Sequence, residues 1–305
     1  MRILDFITAK INQIILIFTL MVLGIAFYFV YSLNLSYAEK ETIQSLDTTL
    51  LLARNLLEEE EQHALSLSLL LSQNKSFLET FLAHDRKASF SMIRQKIKSL
   101  EKLQGYHYEV QVHDKDLRTY LRSWDFNITG VPLASFRKGL VMVKAQKKPL
   151  VSIEVGKRLN IKAISPILKE GVFQGSIEVI EDFSHLRKKL AEQGYTLFVL
   201  LNKKYLPIAT SLKNHSKLSD RYLLVNTVYD QECFSALTNI SLDNLGSYGY
   251  LTQEKFSFGY FSIQNFENEK LGYILVGTKN SMPLSKQAYH ENEMREQNSS
   301  GVIIR

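Results

Sequence analysis

Apolar residues at Ile43, Leu46, Leu50, Ala53, Leu57, Ala64, Leu67, Leu71, Leu78 and Phe81 recur three, four or seven positions apart. With no Pro or Gly between them, this stripe predicts one long helix over residues 42–81. The acidic run at 58–61 reads as a solvated face, since adjacent helical residues do not converge. A second helix is predicted over 86–103, ending at Gly105. At residue 106 the period changes to two. Tyr106, Tyr108, Val110 and Val112 alternate with His107, Glu109 and Gln111, the pattern of a half-buried strand. A helix over 133–147 follows Pro132, then strands over 150–155, 159–164 and 173–180, with turns at Gly156 and 169–171. After a helix over 184–193, strands at 195–201, 223–228, 256–263 and 271–277 and a helix at 231–240 repeat the theme. Residues 282–305 are polar and read as helical at first, then frayed. Strands joined to near neighbours give antiparallel sheets with helices packed on them: an α+β fold of two similar units behind a stem helix.

Residues 11–38 contain no Asp, Glu, Lys or Arg, and their centre is rich in Ile, Leu, Phe and Val. A bilayer core needs about 20 apolar helical residues, so this stretch spans a membrane. Tyr28, Tyr31 and Tyr37 sit toward its far end, where amphipathic rings favour the interface. Ser36, Tyr37 and Ala38 faintly resemble a signal-peptide cleavage site, but secretory apolar regions are about 7–15 residues, which favours an anchor. Arg2 and Lys10 against Asp5 place the first ten residues in the cytoplasm and the bulk of the chain outside. The next longest stretch free of those charges, 62–74, is too short to cross. The expected organisation is a cytoplasmic stub (1–10), a transmembrane anchor (11–38), stem helices (39–105), two modules (106–182 and 183–280) and a polar tail (281–305). Cys233 is the only cysteine, which excludes an intramolecular disulfide and a multi-cysteine zinc site. It also fits a bacterial inner-membrane protein whose bulk lies in the periplasm.

The candidate chemistry is cationic. Arg118 and Arg122 lie four apart, so a helical turn would put both guanidiniums on one face beside Trp124, the sole tryptophan. Two planar forks beside an indole suit a small dicarboxylate or phosphate. The other reading is a surface ion pair with Asp114, Asp116 or Asp125, with Trp124 in the core. Arg137 is a third candidate contact, and Lys162, on a predicted strand, is a candidate to point inward. Residues 137–162 hold many Lys and Arg with Glu154 as the only acid. Outside a membrane this reads as a solvated face or an anion-attracting rim, and no nucleic-acid partner is expected. His107, Glu109, His113, Asp114 and Asp116 are the residues from which a metal site would be drawn; on an alternating strand His107, Glu109 and His113 share a face, but spacing alone does not establish three convergent ligands. No metal, cofactor or enzymatic activity is expected: the chain lacks a nucleophile elbow, a phosphate loop and an HExxH motif.

The sequence resembles the double Cache sensor domains of bacterial chemoreceptors and sensor histidine kinases. The resemblance covers 39–280. It is carried by His113 through Arg118, Arg122-Ser123-Trp124, Phe136-Arg137, Val155-Gly156, Ala163-Ile164-Ser165-Pro166-Ile167 and Gly175-Ser176-Ile177-Glu178-Val179. It implies ligand capture in a membrane-distal module (106–182) above a membrane-proximal one (183–280), with the stem carrying a displacement through the membrane. Arg122-x-Trp124 is similar to the Arg-x-Trp of amino-acid-binding members, in which the Arg holds a carboxylate and the Trp closes the pocket. Two departures, Asp125 where those members have an aromatic and Leu117 where they have Tyr, turn the expectation to a carboxylate or other small anion. The expected protein is an extracytoplasmic sensor for chemotaxis or two-component signalling. It would bind its ligand through Arg122, Trp124, Arg137, Arg118 and Lys162 and form a homodimer through the stem helix. A ten-residue cytoplasmic part holds no output domain, so the chain is expected to be a truncated receptor or to signal through a partner. The alternative is a ligand-free periplasmic interaction protein that docks a partner.

Overall fold

The computed structural model describes residues 2–281 and 283–290. Helix α1 (Arg2–Ser72) runs unbroken from the apolar N-terminal stretch into the stem. Its 71 residues span roughly 105 Å at 1.5 Å each. Among the described residues it is the one helix long and apolar enough to cross a membrane. Ile14, Phe18, Leu23 and Phe27 are all exposed. Further along, Leu46, Leu50, Ala53, Leu57, Ala64, Leu67 and Leu71 are buried. The predicted stripe is therefore real, but it packs against this chain's own sheets and is not free for the expected stem dimer.

The stem is two helices rather than one over 42–81. Asn74 adopts an extended conformation and its side chain accepts Phe77 N–H at 3.1 Å, starting α2 (Lys75–Leu82) afresh. Asp85 caps α3 (Arg86–Gln104), which stops at Gly105 in the left-handed conformation with φ 74°.

The first sheet follows: β1 (Glu109–Asp114), β2 (Thr119–Arg122), then α4 (Lys138–Gln146), β3 (Leu150–Val155), β4 (Leu159–Lys169) and β5 (Val172–Glu181). Its order is β2-β1-β5-β4-β3, with every pair antiparallel. Alternation divides its faces. Val110, Val112, Ile161, Ala163, Ile177 and Val179 pack toward α1 and the other stem helices. Ile164 packs the other way, under α4, with Leu133, Leu140 and Val143. The helix expected from residue 133 begins only at Lys138. Leu133 to Arg137 form a turn closed by Arg137 N–H on the Leu133 carbonyl at 2.9 Å.

Helix α5 (Ser184–Glu192) leads to the second sheet: β6 (Thr196–Asn202), β7 (Lys217–Leu218), β8 (Tyr222–Leu224), α6 (Gln231–Thr238), β9 (Tyr248–Thr252), β10 (Phe256–Gln264), β11 (Lys270–Lys279) and β12 (Gln287–His290). Its order is β12-β9-β10-β11-β6-β8-β7. The strand expected over 223–228 ends at Leu224 because the Asn226 side chain takes over the pairing. It accepts Val199 N–H at 2.8 Å and donates to the Leu197 carbonyl at 3.0 Å. The tail expected to start helical instead adds β12, antiparallel to β9. Residues 291–305, expected to fray, lie outside the described residues.

The acidic run on α1 is not all solvated. Glu60 is buried against α5, where it pairs with His185 Nδ1 and lies 3.7 Å from Lys189 Nζ. On the same helix His63 Nδ1 meets the buried Glu181 carboxylate at 3.3 Å. These pairs fasten the stem to the end of β5 and to α5, between the two sheets.

Candidate functional site

The charged residues of the first sheet gather on the face away from α1. Register sets a row across four strands, with Arg122 opposite Gln111, Gln111 opposite Glu178, and Glu178 opposite Ile164. Lys162 lies one step along β4, opposite Ser152. Alternation turns Glu154 of β3 to this same face. Helix α4 closes the face from above, and Arg137 stands at its N-terminal boundary. Gly139 lets the helix come down onto the sheet, since a Cβ there would fall 2.3 Å from Glu154 Oε1.

Arg137 is buried and joins two carboxylates. Its Nη1 donates to Glu178 Oε2 at 3.3 Å, while Nη2 donates to Glu154 Oε2 at 3.3 Å and to Glu178 Oε1. Burial works against the guanidinium charge, but Glu178 and Glu154 together outweigh it. The Glu178 carboxyl would be raised by burial, yet Arg137, helped by Lys162, holds it below its ordinary value. Burial wins at Glu154, whose pKa is raised against the pull of Arg137 and Lys162. His113 is fully buried, with Nδ1 3.0 Å from Ser176 Oγ and Nε2 3.6 Å from Glu178 Oε2. Burial pushes it down to about 4, so the ring is neutral at neutral pH.

The set is incompletely satisfied. Arg137 Nε, Glu154 Oε1 and His113 Nε2 are buried with no hydrogen-bond partner. Lys162 is 4% exposed and makes no hydrogen bond or ion pair, and burial with Arg137 nearby pushes its ammonium down to about 8. Buried polar groups are rarely left unpaired. Here both donors and an acceptor are left over, the complement of a bound anion that also carries a donor.

The structure brings Arg137 and Lys162 together at this centre. Arg122 stands at its margin, half-buried, with Nε on Gln111 Oε1 at 3.1 Å and its guanidinium 5.7 Å from the Trp124 ring centroid. Trp124 is 40% exposed and is not core. Arg118 is not part of the group. The expected helical turn over 118–122 is instead a hairpin arm, and the exposed Arg118 guanidinium bonds the Gly130 carbonyl at 3.3 Å. The metal candidates also separate: His107 pairs with Glu101, Glu109 with Arg158, and Asp114 accepts the Asp116 and Arg118 amides. Among the described residues no three His, Cys, Asp or Glu side chains gather as a metal site.

Sequence reading missed Glu178 and Glu154 as site residues, along with the role of His113. The signal was there: Ile153-Glu154-Val155, Ile161-Lys162-Ala163 and Ile177-Glu178-Val179 each set one charge between apolar neighbours inside a strand.

A family model described as the double sensory domain of two-component sensor kinases matches residues 40–279. Among solved structures, the sensor domain of the Vibrio cholerae histidine kinase DctB is similar at 13% identity and TM-score 0.47, covering 79% of this chain and 98% of that one. A domain of a putative sensory box/GGDEF family protein from Vibrio parahaemolyticus is similar at 15% identity and TM-score 0.46, covering 82% and 98%. The sensory domain of the Campylobacter jejuni chemoreceptor Tlp3 is similar at 12% identity and TM-score 0.45, covering 80% and 95%. No curated protein matches the chain.

Proposed function

We propose, for a chain that belongs to the double sensory domain family of two-component sensor kinases, that it binds a small carboxylate outside the cytoplasm under α4. The observation that carries this reading is Lys162, a buried ammonium at the centre of β4 with no acceptor of its own. A carboxylate there would accept from Lys162 and from the unused Arg137 Nε, while a hydroxyl or amine on the same ligand would satisfy Glu154 Oε1. Arg122 and Trp124 would form the rim, the indole closing over the ligand. The anchor holds the module in a bacterial inner membrane with 39–290 in the periplasm, and α1 carries the ligand-induced difference in packing toward the membrane. A stem dimer has to use the outward face of α1, where Leu51 and Leu70 are exposed.

The test is a thermal-shift screen of the detergent-solubilised chain against organic acids, amino acids and inorganic anions. A ligand at 100 times its Kd stabilises by about 2.7 kcal/mol. The expected hit is a carboxylate whose effect is lost in Lys162→Met and weakened in Arg122→Ala. Silence across the acids, or a hit that survives Lys162→Met, overturns the site.

A further inference from the structure

A half-open hollow lies away from this centre, where the two sheets meet. It is a cavity of about 230 Å³. One wall comes from the start of β4 (Leu159, Asn160) and the start of α5 (Phe183, Arg187). The other comes from the second sheet's side, with Leu212, Val225, Thr227 and Val228. The backbone crosses at its edge, Ser211 N–H donating to the Lys157 carbonyl at 3.0 Å.

We propose that this junction cavity is a second small-molecule site, which takes a short-chain monocarboxylate and ties the two modules together. The charge comes from Arg187, which lines the cavity and whose guanidinium makes no hydrogen bond or ion pair among the described residues. The other lining guanidinium, Arg158, is taken by Glu109. Asp182 also lines the cavity, so the site carries one free positive charge beside a fixed negative one. That balance suits a monoanion and disfavours phosphate, whose second charge would face Asp182. The floor is apolar: Leu159, Phe183 and Leu212 are 0–3% exposed. A short alkyl tail would cover it, with the carboxylate on Arg187. The volume is below the roughly 300–1,000 Å³ of drug-sized pockets, which limits the ligand to a few carbons.

The probes are butanoate and inorganic phosphate, added to the detergent-solubilised full chain at matched ionic strength while the thermal midpoint is read. Butanoate is expected to raise the midpoint in the wild type and equally in Lys162→Met, which disables the site under α4; phosphate is expected to leave it unchanged. Arg187→Gln should raise the butanoate concentration needed by roughly tenfold, the loss of one charge-assisted contact, with partial recovery in Arg187→Lys. Val228→Phe, which fills the cavity from its rim, should abolish the response. The Arg187 side chain has no partner to lose among the described residues, so the unliganded midpoint of Arg187→Gln should match the wild type. No response to butanoate, an unchanged response in Arg187→Gln, or an equal response to phosphate overturns the assignment. Loss of the response in Lys162→Met instead would move butanoate to the site under α4 and leave the junction without a ligand.

Discussion

An ammonium held in mid-strand without an acceptor costs stability in the empty protein. Lys162 is in that position, and its lowered pKa measures the cost. Replacing it with Met keeps the length of the chain and removes the charge. Lys162→Met should therefore stabilise the unliganded chain, by on the order of 2–3 kcal/mol at neutral pH, while it destroys the carboxylate response. The sign is fixed by linkage. The unfolded lysine titrates near 10.5 and the folded one near 8, so between those values the unfolded chain binds the extra proton. Relative to Lys162→Met, the wild type should gain stability as pH climbs from 8 to 10.5. Urea unfolding at several pH values reads this directly, and a Lys162→Met chain less stable than wild type at neutral pH would show that Lys162 is satisfied without ligand. Arg137 is the opposite case. It bridges Glu178 and Glu154, and removing one partner of such a buried group leaves the others uncompensated.

At the scale of elements, the contact between α1 and β10 depends on one missing side chain. Gly259 faces Leu50, and a Cβ there would lie 2.7 Å from Leu50 Cγ. Gly259→Ala should cost about 1–3 kcal/mol by overpacking. Leu50→Ala alone should cost about 2–5 kcal/mol by opening a cavity. The new methyl fills part of that cavity, so the double variant should cost clearly less than the sum; strict additivity in urea titrations would separate the two elements. The stem stripe containing Leu50 was legible because burial on one side of a helix imposes its spacing on the sequence. The long strands were legible for the same reason at period two. β2 was not, because only four residues follow a hairpin and the two arginines suggested a helix. β12 was not, because its four residues gain a period only by pairing with β9. The site was half legible: cations in an apolar strand stand out, but Glu154 and Glu178 join Arg137 only through register and the descent of α4. No local pattern records that geometry.

For the whole molecule, α1 packs on β3, β4 and β5 of the first sheet and on β10 and β11 of the second. One apolar cluster runs through both, from Ile161 and Val179 past Leu57 and Ala64 to Leu197 and Ile274. The β10–β11 loop reaches back to the first sheet, where Phe266 N–H donates to Ser152 Oγ at 3.0 Å and Glu267 meets Lys138 Nζ at 2.8 Å. Ser152 lies opposite Lys162, so a ligand under α4 would sit one residue from the second module's loop. A core shared in this way predicts that neither sheet unfolds without the other. The chain carries its own reporters. Trp124 is beside the first sheet, and Cys233 is buried under the second, its thiol pushed up to about 12 by burial. A buried, protonated thiol does not alkylate, so labelling of Cys233 reports opening of the second sheet. In a urea series, the Trp124 fluorescence change and pulse alkylation of Cys233 should share one midpoint. Labelling of Cys233 at a urea concentration where Trp124 keeps its native emission would show two independent modules, and α1 would then couple them through the junction alone.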